Sequence, residues 1–118
     1  MSFLLLIHEP VGQRATRTEA EGRAAYAAMQ RFAETIAAEG QLAAVESLAG
    51  LEQSVRIERG VQFDGPFTEA KEMVGGFFLL KNASREQALA WARRCPAAQW
   101  ATVEVRALAP CYEGSPAE

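Results

Sequence analysis

Only two cysteines occur among the 118 residues, Cys95 and Cys111, and two cannot build a disulfide framework. One histidine, His8, is present. A protein metal site normally takes three or more ligands, and no His/Cys/Asp spacing supplies the others, so no metal is expected. Lys and Arg total 12 against 15 Asp and Glu, a net charge of −3, and no basic stripe forms. That argues against nucleic acid as a partner. Long apolar runs are missing too. The opening run Phe3–Ile7 is five residues long, has no basic segment before it, and is ended by His8, Glu9 and Pro10. It is too short for a signal core or a membrane span, which points to a cytoplasmic protein. Gly75-Gly76 has neither the spacing nor the following Lys of a phosphate loop, and no cofactor is expected.

What remains is an alanine-rich globular composition, 49% hydrophobic and 23% charged. The length fits one domain. No internal repeat or linker divides it. The expected domain covers residues 1–108, followed by a Gly/Ser/Pro-containing tail over 109–118.

The pattern along the chain alternates strand and helix signals. Phe3–Glu9 reads as a strand apolar on both faces, with His8 on the side of Leu4 and Leu6. Residues 11–17 read as a loop. Thr18 and Glu21 match a capping box, and Ala25, Met29, Phe32 and Ile36 follow as one helical stripe up to Gly40. Leu42–Leu48 is a second strand. Ser54–Glu58 and Val61–Asp64 alternate around Arg59-Gly60, which predicts a hairpin. Phe67–Met73 is predicted as a loop or a single helical turn, and Gly75-Gly76 as the opening of a strand over Phe77–Leu80, the glycines allowing a sharp strand entry or a bulge. Ser84 and Gln87 form a second capping box. Ala88, Trp91, Ala92 and Cys95 give that helix its face, and Pro96 stops it. Ala101–Ala107 is the last strand, with Val103 and Val105 opposite Thr102, Glu104 and Arg106. The order β-α-β-hairpin-β-α-β predicts an α+β ferredoxin-like sandwich. Both helices should cover one face of an antiparallel sheet. The other face needs a cover, and a second copy of the chain is the simplest one.

Asp64-Gly65-Pro66-Phe67-Thr68-Glu69-Ala70-Lys71-Glu72, followed by Gly75-Gly76-Phe77, resembles the signature of the DGPF group of YCII-related proteins. The first strand, Leu4-Leu5-Leu6-Ile7, and the end, from Ala90-Trp91-Ala92 to Val103-Glu104-Val105-Arg106, resemble the same family. The similarity spans residues 3 to 108. It implies a ferredoxin-like fold that pairs into a dimeric α+β barrel. It also implies kinship with muconolactone-isomerase-like enzymes, without a single activity for the group. The wider family is associated with acid–base chemistry by a His-Asp pair.

Asp64 ends a strand just before Gly65-Pro66, where a carboxylate either bonds its own turn or acts as a general base. His8 is the one side chain that titrates near neutral pH without help. As an acid–base group it needs a partner, for which Glu104, Arg106 and Asp64 are candidates if the strands are neighbours; the alternative is a half-buried structural histidine. Both Asp64 and His8 are therefore candidate catalytic residues. Glu69, Lys71 and Glu72 either wall a polar pocket or form a solvated charged loop. Arg106 is suited to gripping a ligand carboxylate or to pairing with Glu104. Trp100 is a candidate cavity wall. Cys95 lies at a helix C-terminus, which disfavours a thiolate. Two functions follow from these residues. One is a small dimeric enzyme performing isomerisation or elimination on a small organic substrate. The other is a non-catalytic dimeric ligand-binding or regulatory module.

Overall fold

The computed structural model describes residues 1–67 and 69–117. Thr68 of the motif and Glu118 lie outside them. Six strands and two α-helices follow in the order β1 (Phe3–Pro10), α1 (Glu19–Ala38), β2 (Leu42–Ser47), β3 (Val55–Glu58), β4 (Val61–Asp64), β5 (Glu72–Leu80), α2 (Arg85–Arg94) and β6 (Thr102–Ala107). Strands β2, β5, β1 and β6 form one sheet in that spatial order, antiparallel at every neighbour. Strands β3 and β4 form a separate hairpin. This is the ferredoxin-like arrangement the sequence predicted.

The helix ends are fixed by the residues expected. Thr18 Oγ1 accepts from the Glu21 N–H, and Glu21 Oε1 accepts from the Thr18 N–H. Ser84 and Gln87 make the same reciprocal box on α2. Each box satisfies amide donors that a helix start leaves free. Gly40, just past α1, takes a φ of 72°, a conformation that suits glycine. In the hairpin turn Arg59 and Gly60 both have positive φ, as a tight two-residue connection requires.

Alternation along β1 divides the molecule. Phe3, Leu5, Ile7 and Glu9 are buried, while Leu4, Leu6 and His8 are half-buried. The first set faces the helices. Leu5, Ile36 and Leu80 are completely buried, and Phe3 and Phe78 nearly so. The Phe32 ring stands edge-on to Phe78 at 5.2 Å. Trp91 lies in this core and donates its indole N–H to Gln41 Oε1 at 2.7 Å. Burial of each such aliphatic side chain contributes roughly 1.5–3 kcal/mol.

Strand β5 begins earlier than its sequence suggests. Glu72 and Met73 pair with Pro10 and Glu9, so the strand already runs before the glycine pair. A register shift then falls beside Ile7 and His8: Gly76 pairs with Ile7 and Val74 with His8. The glycines therefore mark a bulge inside the strand, one of the two roles expected of them, and not its entry. Gly76 lies so close to Glu46 that an added Cβ would stand 2.8 Å from its carbonyl oxygen.

Candidate functional site

Two groups of polar side chains flank the sheet, one on each face of β1. The first lies on the helix side. Glu9 has the parity of Leu5 and Ile7 and so points inward, where its side chain is only 8% exposed. Arg14, in the short 3-10 turn Gln13–Thr16 that follows β1, reaches back to it. Arg14 Nε donates to both carboxylate oxygens, at 3.1 and 3.2 Å, and Nη2 donates to Oε1. A buried carboxylate is tolerated when a guanidinium meets it in this way. The seat exists because residue 75 is glycine: a Cβ there would collide with Glu9 Oε1.

Beside this pair opens a cleft of about 840 Å³ between α1 and the strands β1, β2 and β5. Its apolar wall includes Ile7, Met29, Ala33 and Phe78. Glu9, Arg14, Arg17 and Trp100 also line it, together with the helix cap Thr18. The Arg17 guanidinium lies 5.5 Å from the Trp100 ring centre. Gln13 ties this corner together: its Nε2 donates to the Trp100 carbonyl at 2.8 Å, and its Oε1 accepts from Arg17 at 3.4 Å.

The second group lies on the opposite, open face. His8 Nε2 is 2.7 Å from Glu104 Oε1. A carboxylate can only accept, so Nε2 carries the proton in this contact. Glu104 Oε2 also pairs with Arg106 Nε at 3.1 Å. Register explains the row: Leu6 pairs with Glu104, Leu4 with Arg106 and His8 with Thr102, all on one face. Around the row, Leu4, Leu6, Phe77 and Leu79 are half-buried.

The structure distributes the predicted site residues over separate places. His8, Glu104 and Arg106 meet. Trp100 lines the helix-side cleft. Asp64 is exposed on the hairpin, where Oδ1 accepts from Gln62 Nε2 at 2.8 Å. Glu69, Lys71 and Glu72 are all exposed, and Lys71 uses its backbone carbonyl to accept from the Val11 N–H. Cys95 is buried, and burial pushes its thiol pKa up, which disfavours the reactive thiolate. Among the described residues no group of three or more His, Cys, Asp or Glu could hold a metal ion, and no helix is long and apolar enough to cross a membrane.

One family model, described as YCII-related domain, matches residues 1–111. The chain belongs to the YCII-related domain family. That family comprises uncharacterised proteins, and membership brings no specific activity with it. No curated protein matches the chain.

Residues that sequence reasoning missed carry the inner end of the cleft of this YCII-related chain: Glu9, Gln13, Arg14 and Arg17. Glu9 had one detectable signal, a carboxylate on the buried parity of an apolar strand. Arg14 had none, because it lies in a turn without periodicity.

Proposed function

We propose that this YCII-related protein binds a small organic molecule in the cleft between α1 and the sheet. The observation that carries the reading is the cleft itself. Its size, about 840 Å³, falls in the range of small-molecule sites, and its apolar wall ends in a few converging polar groups. Gly22 supplies the test. It lines the cleft, and an added Cβ there meets nothing within 4 Å. Gly22→Trp should fill the space without disturbing the core. In a ligand-observed NMR screen of neutral fragments, binding should be seen with the wild-type chain and lost in the variant, at unchanged melting temperature. Equal binding to both would place the ligand elsewhere.

A second reading, as a small acid–base enzyme, is supported by the 2.7 Å His8–Glu104 contact, in which a carboxylate orients an imidazole. Isomerisation or elimination beside a carbonyl fits such a pair. Its test is deuterium uptake from D2O at the carbon next to the carbonyl in a panel of small ketones. Loss of uptake in both His8→Gln and Glu104→Gln supports this reading, and uptake indifferent to both removes it.

The same proposal includes a homodimer in which two open sheet faces meet. Its support is the half-buried apolar set Leu4, Leu6, Phe77 and Leu79, which a second copy would cover. Sedimentation at micromolar concentration should give twice the chain mass. The run Asp64–Glu72 supports placing the chain in the DGPF group of the family. The two free cysteines suit a reducing compartment such as the cytoplasm.

A further inference from the structure

We propose that the inner end of the cleft is an anion pocket. In it Arg17 grips the carboxylate of a small monoanionic ligand whose apolar body lies along Met29, Ala33 and Phe78. The inference rests on the ligand-cleft reading above and adds the chemical class.

Charge pairing along the cleft supplies the argument. Glu9 and Arg14 neutralise each other. Glu19 and Arg23, also on the lining, pair at 2.7 Å. Glu21, close to Arg17 in sequence, uses Oε1 on the Thr18 amide. Two further lining carboxylates are remote or turned away. From the helix cap Thr18 to Glu34 the axis rises roughly 24 Å, about three Debye lengths at physiological salt. Glu46 pairs with Phe77, and that register sends its side chain to the open face. Arg17 is left: among the described residues it makes no ion pair, and its charge is only the last and smallest of the causes that hold the Glu21 pKa down.

Its position is fixed by neutral partners instead. Arg17 is half-buried, its guanidinium lies 5.5 Å from the Trp100 ring centre, and it donates Nη2–H to Gln13 Oε1. A guanidinium held by one N–H beside a ring keeps its remaining N–H donors for a planar oxyanion. A held cation without a bonded counter-ion, at the Trp100 end of an apolar-walled cleft, matches a carboxylate joined to an apolar body.

Calorimetric titration of the full chain with benzoate and with benzyl alcohol tests this, because the two share a ring and differ in charge. Benzoate should bind the wild-type chain about ten-fold or more tighter than benzyl alcohol, as expected for a charge-assisted bidentate contact. Arg17→Gln should bring benzoate to the level of the alcohol. Arg17→Lys, which keeps the charge and loses the fork, should fall between. Gly22→Trp should abolish both. Equal wild-type affinities, or benzoate binding unchanged in Arg17→Gln, would overturn the anion pocket while loss of both probes in Gly22→Trp kept the cleft reading intact. If neither probe bound the wild-type chain, or Gly22→Trp left both unaffected, the cleft reading itself would fall and the anion pocket with it.

Discussion

His8 and Glu9 are neighbours in sequence and face opposite sides of the same sheet. Glu9 lies inside a finished environment: buried, met by Arg14, and accommodated by the missing side chain of Gly75. His8 lies on a rung of β1 and β6, touching a Glu104 that is 39% exposed. Period-two alternation alone creates the difference. One side of the strand builds its polar pair within a single chain, around a cleft. The other leaves a polar row at the edge of an apolar surface that a second copy would complete. The helix-side group is therefore expected to tolerate substitution poorly, and the open-face group to tolerate it well in the isolated chain.

Leu5 and Leu6 put the largest number on that contrast. Leu5→Ala empties a fully buried position and should cost about 3 kcal/mol by chemical denaturation. Leu6→Ala should cost about 1 kcal/mol within one chain, in proportion to its partial burial, and should weaken self-association as well. Equal losses, independent of protein concentration, would mean that the open face is as well covered as the core. Gly75→Ala comes next. The clashing atom is the end of a flexible side chain, so Glu9 can swing aside, but only by leaving Arg14. The expected cost is about 2 kcal/mol. A cost near zero would show that the pair is loosely held and that the two faces differ less than their geometry suggests.

The sequence made the periodic parts of this arrangement legible. Both capping boxes were readable because each is a contact between residues three apart. The opposition of Val103 and Val105 to Glu104 and Arg106 was readable because a strand has only two faces. From it came Glu104 as a candidate partner for His8. The cleft was not readable. The Glu9 seat requires Gly75, far along the chain, to arrive through a bulge whose place depends on the pairing of β1 with β5. Arg14 and Arg17 come from a turn, where no repeat says which way a side chain points. Asp64 stood out by its motif, yet among the described residues its side chain partners only Gln62 on the exposed hairpin.

The roof of the cleft gives a smaller effect with a pH signature. Thr18→Ala removes the acceptor that starts α1 next to Arg17, at an expected cost of about 1 kcal/mol. In the wild-type chain, hydrogen bonds to the backbone and side chain of Thr18 hold the Glu21 pKa below the ordinary glutamate range. A carboxylate with a folded pKa below its unfolded one stabilises fully above the unfolded value and loses that contribution as pH falls through the folded value. Melting curves of wild type and Glu21→Gln should therefore be separated at neutral pH and converge in acid. A separation that persisted in acid would assign the effect to something other than ionisation.

The smallest effect is expected where the chemistry looks most active. His8→Gln keeps a polar side chain on the row and removes an imidazole from a contact with a carboxylate that water also reaches. Solvent-reached pairs of this kind contribute about 0–1 kcal/mol, because water and salt replace most of what the partner supplies. The melting temperature should hardly move, and neutral-fragment binding in the cleft should not change, since the imidazole faces away from it. A loss of several degrees in a strictly monomeric sample would mean that His8 supports the fold from the open face. The two sides of β1 would then be equivalent as structure, and the division between a self-contained cleft and an open, tolerant face would have to be abandoned.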